Sequence, residues 1–381
     1  MKKVPFYVPL FWVVSLSLVV FTGCNKEATQ SKEQALQSGR SKDAGSAKAA
    51  ITVHAGGSIQ AAVDAAIPGS TIKIEPGTYL ESITVNKTGI KLVGTGEKAV
   101  IIKNPGDEED GIVVNDAGDG FTLQNVTVKN FEENGVVLDS VDNFKISYVT
   151  AIDNGEYGIF PVHSSHGSIK HCKVSGHTDT GIYVGQSSDV NMEHNTATAN
   201  VNGLEVENST DVDVTKNQSY DNVCGILIDL LPGKDVKTSN NIYVANNHVY
   251  NNNHVNFGEV GSLESVVPTG LGILVLGTDA TTVENNKITD NGFAGVAVFS
   301  TLVLATLAGI PPDEILADIE PYPDGDKIRS NNLHHNGFNP PVIPDLPLPG
   351  VDLLWDGSGA NNCWSENKFK TSYPSPLPSC N

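Results

Sequence analysis

Positive charge is scarce in this 381-residue chain: 24 Lys and Arg stand against 44 Asp and Glu, a formal net charge of −20. That balance repels nucleic acid and anionic membrane surfaces, so neither is expected as a partner. It also disfavours an anionic polysaccharide unless a divalent cation intervenes. Aromatic residues are only 7% of the chain, while glycine (37) and proline (20) are plentiful. A helical bundle is thereby disfavoured against a turn-rich β architecture. Cysteine is sparse, five residues in all, and neither a CxxC pair nor a zinc spacing occurs. Cys363 and Cys380 flank a Pro-rich tail and could pair in an oxidising compartment. Cys172 and Cys224 fall at non-equivalent points of the repeat described below and read as small buried fillers.

The first residues carry an export pattern. Lys2 and Lys3 precede an apolar stretch from Val4 to Phe21, closed by Thr22-Gly23-Cys24. This resembles a bacterial lipoprotein signal, over residues 1–23, with Cys24 acylated as the mature N-terminus; Phe21 stands where leucine is usual. An uncleaved membrane anchor is the alternative. Either way the remainder lies in the cell envelope, tethered at its start and facing the periplasm or the exterior. Asn25 after the cysteine resembles the outer-membrane sorting pattern of Gram-negative lipoproteins. Residues 24–50 are Lys-, Ser-, Ala-, Glu- and Gln-rich without apolar periodicity, the composition of a flexible tether.

Beyond the tether a repeat is plain. Glycine followed by an aliphatic residue recurs at Gly111, Gly135, Gly158, Gly181, Gly203, Gly225, Gly272 and Gly295, with spacings of 24, 23, 23, 22, 22, 47 and 23 residues. A second ladder runs through Asn125, Tyr148, Cys172, Asn195, Asn217, Asn247, Asn286, Asn332 and Asn367. Each period holds short alternating apolar segments divided by Asn/Asp/Gly turns, too short for a helix plus a strand. One period is therefore one coil of short strands, and successive coils pair in parallel at about 4.8 Å. Stacked asparagines would hydrogen-bond the buried turn backbone of the next coil. The expected fold is all-β: a right-handed parallel β-helix over residues 51–370, followed by the Pro-rich tail 371–381. Residues 58–67 are amphipathic (Ile59, Ala62, Val63, Ala66), end at Pro68-Gly69 and would cap the open end of the solenoid.

Measured on the asparagine ladder, coils stay near 22–24 residues up to Asn217 and then lengthen to 30, 39, 46 and 35. The excess falls in 230–240, 255–271, 300–324 and 338–352. These insertions are apolar and proline-containing and are expected to pack together over the wall of the helix. They serve either as a C-terminal cap or packing surface, or as the rim of a substrate cleft.

Registering the glycines aligns outward positions between coils. Two residues after each glycine the column reads Val113, Val137, Phe160, Tyr183, Glu205, Leu227, Leu274, Ala297; four after, Asn115, Asp139, Val162, Gly185, Glu207, Asp229, Leu276, Phe299. Five after come Asp116, Ser140, His163, Gln186 and Asn208. Glu207 and Asp229 thus share one column on adjacent coils. Carboxylates stacked near 5 Å repel, so a cation such as Ca²⁺ sits between them, or one has a raised pKa, or both splay into solvent. Tyr183 and Gln186 would offer a stacking face and hydrogen bonds to a sugar, or serve the wall alone.

The segment "STIKIEPGTYLESITVNKTGIKLVGTG" after the capping helix resembles the start of the pectin-lyase-like superfamily. Residues 157–167, "YGIFPVHSSHG", resemble the Tyr-Gly-x-Asp-Pro-His-Asp segment of mannuronan C5-epimerases at Tyr157, Gly158 and Pro161. Phe160, Val162 and His163 replace that family's Asp, His and Asp, so its proton-transfer residues are not preserved in place. Pectate lyases commonly use an Arg base beside Ca²⁺, whereas the expected domain holds only Arg329. Over residues 110–370, "YGIFPV", "DTGIYVGQS", "NGLEVENS", "GILIDLLPG" and "LLWDG" are similar to a family of exported bacterial parallel β-helix repeat lipoproteins. That resemblance implies the fold and the location rather than a chemistry.

Two functions follow as expectations. In the first, a groove beside coils 157–230 binds, and processes as a lyase, epimerase or hydrolase, a polysaccharide. Glu205, Glu207, Asp229, Tyr183 and His163 would supply acid/base groups, and Glu207 with Asp229 a Ca²⁺ site. In the second, the protein is a non-catalytic scaffold whose C-terminal loops dock another exported protein.

Overall fold

The structure, a computed structural model, describes residues 50–380; the expected signal segment, Cys24 and nearly all of the expected tether lie outside them. The chain winds into a right-handed parallel β-helix whose strands form a 20-stranded and an 11-stranded sheet. All strand pairings run parallel, one coil to the next; a representative coil contributes Thr180–Gly185 to the second sheet and Ser188–Glu193 and Thr196–Thr198 to the first.

The residue after each column glycine points inward and stacks on its equivalents. Val136, Ile159, Ile182, Leu204, Ile226, Ile273, Val296 and Leu353 pair in register and are fully or almost fully buried. Each such aliphatic side chain contributes about 1.5–3 kcal/mol by leaving water. The glycines themselves are needed for close approach. A Cβ on Gly135 would lie 2.6 Å from the Gly158 carbonyl oxygen, and one on Gly203 2.6 Å from that of Gly225, so these positions tolerate no side chain; only at the ends of the column do Ser82 and Asp352, ahead of Ile83 and Leu353, stand in the place of glycine.

Buried side-chain ladders line the turns. Asn195, Asn217, Asn247, Asn286, Asn331 and Asn367 each present Oδ1 to the backbone N–H of the preceding coil's equivalent residue, at 2.8–3.0 Å. The phase corrects the sequence expectation at three places. Asn331, not Asn332, is the rung; Asn332 is exposed on a strand. Asn125 and Tyr148 take left-handed conformations (φ 59° and 54°) within strands Thr122–Lys129 and Lys145–Ile152 rather than joining the ladder, and the Tyr148 ring stacks on His171. A second ladder, unanticipated, runs through His177, Asn200, Asn222, Asn252, Asn291, Asn336 and Asp352 at the next corner. A third, of Ser164, Ser187 and Ser209, serves the turn after the second-sheet strands.

The N-terminal end is closed by helix Ile59–Ala65, which buries Ile59, Ala62 and Val63. Ser58 caps the Ala61 N–H at 3.0 Å, and the Glu81 carboxylate accepts from the N–H groups of Ile59 and Gln60. At the other end the Pro-rich tail is tied in: Ser372–Tyr373 pairs with Leu353 and Leu354, and Cys363 is disulfide-bonded to Cys380.

The four insertions converge on the outer face of the second sheet. Outward Leu227, Leu274, Leu276, Ala297 and Phe299 join Leu230, Leu231, Leu304, Ile315 and Ile319 of the insertions in a second apolar cluster outside the solenoid. Strands Asn202–Glu207 and Cys224–Asp229 are consequently buried on both faces.

Candidate functional site

At the edge of that covered face lie three acids. The register pairs Tyr183 with Glu205 and Leu227, and Gly185 with Glu207 and Asp229. None of the acids splays into solvent: Glu205, Glu207 and Asp229 are 3%, 4% and 1% exposed. One oxygen from each lies within 4.8 Å of the others.

The surroundings are specific. The Tyr183 hydroxyl donates to Glu207 Oε1 at 2.7 Å. It reaches across one coil because Gly185, beneath Glu207, has no side chain; a Cβ there would collide with the Tyr183 ring. Thr180 Oγ1 and Asn202 Nδ2 both donate to Glu205 Oε2. Lys234, which the sequence reading did not single out, places Nζ 2.9 Å from Glu207 Oε1. Its loop is pinned from below. The Asn208 amide bonds Leu231 and Val236, and Gln186 Oε1 accepts from the N–H groups of Asp235 and Val236. Asp318, on the insertion 300–324, accepts from Gly233 N–H and Lys237. Gln186 is thus a fastener of the loop.

Burial, and then repulsion by Asp229, pushes the Glu205 carboxyl well above the carboxylate range. Asp229 is raised likewise by burial and then by Glu207, with Lys234 opposing. Burial works against the charge of Lys234, but Glu207, Asp229 and Glu205 together more than offset it and hold the ammonium above the ordinary lysine value. Burial and the adjacent Glu207 raise the Tyr183 phenol. Two acceptors here, Asp229 Oδ1 and Asn202 Oδ1, are buried without a donor.

The oxygens of Glu205, Asp229 and Asn202 are a hard donor set of the kind Ca²⁺ takes. Glu207, an expected ligand, has one oxygen already engaged by Lys234. His163 stands apart from the acids, at the rim, with ring nitrogens 3.5 Å from Asp139 and 3.8 Å from Asp235. Phe160, at the position of the epimerase aspartate, stacks on Tyr183 with ring centres 4.7 Å apart.

Between the wall and the insertions lies a narrow cleft of about 50 Å³, partly open to solvent. Asn202, Glu205, Asp229 and Glu264 line it together with mainly leucine, valine and Phe299 side chains.

Residues 110–253 match the family model described as a right-handed β-helix region. No curated protein sequence matches the chain. Among solved structures it is similar to two mannuronan C-5 epimerase A-modules of Azotobacter vinelandii. AlgE6 has a TM-score of 0.58 at 16% identity, covering 81% of this chain and 90% of that one; AlgE4 has 0.55 at 17%, covering 83% and 93%. DFA-IIIase from Arthrobacter chlorophenolicus, in complex with GF2, matches at 0.54 and 13%, covering 79% and 78%. At these identities the likeness is one of fold: the chain is a right-handed parallel β-helix.

Proposed function

We propose that this protein binds a polysaccharide in the groove at the edge of the covered face of the second sheet, and that Glu205 and Asp229 exchange a proton with it. The observation that carries the reading is the trio Glu205, Glu207 and Asp229, brought together under the insertions with two protonation-prone members and one held by Lys234 and Tyr183. A buried carboxyl that holds its proton above the ordinary carboxylate range suits a general acid, and a neighbouring carboxylate suits the complementary base. The neighbours named as mannuronan epimerases lend support, since they act on a glycan with this fold.

A glycan array probed with the full chain, with Ca²⁺ and with chelator, followed by product analysis on any hit, tests this. Retention of a glycan by the wild type and its loss or non-turnover in Glu205→Gln/Asp229→Asn is the expected result. Binding and turnover unchanged in that variant would sink the idea, and so would no retained glycan. Dependence on Ca²⁺ that survives Lys234→Met but not Asp229→Asn would assign the metal to Glu205, Asp229 and Asn202.

A scaffold role is favoured by the exposed Val260, Val342 and Phe338 on the insertions. Loss of a co-purifying exported protein on deleting 338–352, with glycan binding intact, would establish it. We place the protein in the cell envelope, anchored through Cys24. Mass spectrometry of the N-terminal peptide from membranes, against Cys24→Ala, decides this.

A further inference from the structure

Two residues before each column glycine, acids stack on four consecutive coils: Glu109, Glu133, Glu156 and Asp179. The backbone holds them in register. Glu133 N–H donates to Glu109 O at 2.8 Å, Glu156 N–H to Glu133 O at 2.6 Å, and Asp179 N–H to Glu156 O at 3.2 Å. Each therefore faces a like charge on the next coil, an arrangement that destabilises a sheet. The column sinks as it runs, from exposed Glu109 and Glu133 through half-buried Glu156 to buried Asp179. Glu259 and Glu264 of the insertion 255–271 face it across the groove. Among the described residues none of these acids has an ion pair, whereas Glu97 and Glu193 elsewhere on the wall are met by lysines. Burial, then neighbouring carboxylates, raises Glu133 and Glu156, and burial with Glu264 raises Asp179 well above its usual range.

An independent feature marks where the groove leads. It shares Glu264 with the cleft described above, which Asn202 and Asp229 also line. Both residues are 1% exposed, and Asn202 Oδ1 and Asp229 Oδ1 lack donors. Acids and orphaned acceptors alike call for positive charge and hydrogen-bond donors. A single divalent cation gathers its oxygens around one point at 2.3–2.6 Å. The acid column instead extends over about 14 Å at one coil per step, so it calls for a linear ligand with charge at intervals.

We propose that the polysaccharide bound here carries free amino groups, with protonated amines facing the column of Glu109, Glu133, Glu156 and Asp179 and a terminal donor reaching Asn202 and Asp229. This rests on the polysaccharide reading above and names its substrate class.

Calorimetric titration of the full chain with a β-1,4-glucosamine hexamer tests it. The comparison ligands are the N-acetylated hexamer, the glucose hexamer, a uronate hexamer with Ca²⁺, spermine and hexalysine. The amino hexamer is expected to bind at least about tenfold more tightly than its N-acetylated form, with the advantage shrinking as salt rises. Glu133→Gln/Glu156→Gln should remove that advantage while melting no lower than wild type, because it relieves like-charge repulsion. Equal or tighter binding of the neutral or uronate hexamers overturns the amine inference and leaves the polysaccharide reading standing. Spermine or hexalysine binding as well as the amino hexamer overturns both, since charge alone would suffice. Wild-type affinity in the double variant overturns the placement on this column, and binding of no oligomer overturns both readings.

Discussion

Adjacent asparagines with opposite surroundings allow the ladder to be tested by a matched pair, Asn331→Ala and Asn332→Ala. Asn331 Oδ1 accepts from both the backbone N–H and the side-chain Nδ2 of Asn286 at 3.0 Å, and its Nδ2 donates to Val283 O at 2.8 Å and Asn367 Oδ1 at 3.0 Å. Truncation leaves the Asn286 N–H buried without a partner, at about 1–3 kcal/mol, and removes three further bonds contributing about 1 kcal/mol net each at most. The bonds share atoms and the freed side chains regain some entropy, so the expected loss is about 3–5 kcal/mol. Asn332 is exposed, and its truncation is expected to stay within about 0.5 kcal/mol. Because a solenoid need not unfold as one unit, urea denaturation should be paired with hydrogen exchange. The Asn286 amide is expected to exchange about a hundredfold faster or more in Asn331→Ala and at the wild-type rate in Asn332→Ala. Equal effects of the two substitutions, or a larger one at Asn332, would refute the assignment and restore the sequence phase.

Three further outcomes are expected. Burial holds the fully enclosed His177 down at about 4, the Asn200 hydrogen bond offsetting it only in part. The neutral ring suits its place, with Nδ1 bonded to Asn200 Oδ1 and Nε2 to Asn154 Nδ2. The unfolded ring takes its proton near 6.5, so this contribution is complete above that pH and is lost as pH falls toward 4, by up to about 3 kcal/mol. His177→Asn should flatten the urea midpoint between pH 4 and 6.5; an unchanged slope would contradict the account. Cys363→Ser/Cys380→Ser opens a bridge of sequence separation 17 and should cost up to about 3 kcal/mol, read as earlier proteolysis of the tail, with uncut tails counting against it. Gly185→Ala should cost about 1–3 kcal/mol by crowding the Tyr183 ring; a double-mutant cycle with Tyr183→Ala that shows no coupling would dismiss the contact.

The coil and its register were legible because each step repeats one constraint. An aliphatic residue after a glycine recurs from Gly111 to Gly295, and counting from that glycine correctly placed Glu207 beside Asp229. The ladder phase slipped at Asn331-Asn332 because doublets such as Asn246-Asn247 and Asn285-Asn286 offer two candidates, one buried and one in a left-handed turn. Composition alone does not separate them. The acids before the glycines were equally readable, since Glu109, Glu133, Glu156 and Asp179 keep a fixed offset, but registering only positions after the glycine passed over them. Lys234 left no such trace. It sits in an insertion with no periodicity, and its place beside Glu207 follows from long-range fastening by Asn208, Gln186 and Asp318. His163 sits at φ 50° in the turn beyond the strand, beside Asp139 and Asp235 rather than among the three acids, a placement that column counting does not convey.

The fastening of the Lys234 loop changes what counts as a module in this chain. Glycine-to-glycine contacts reach only to the next coil, so a single coil could in principle be duplicated or lost elsewhere along the solenoid. The loop that follows Asp229 instead reaches back over two coils, to Gln186 as well as to Glu207. A coil added or removed between Thr180 and Asp229 would carry Lys234 a full step away from its carboxylate. Those three coils and their loop can therefore be inherited, grafted or redesigned only as one block.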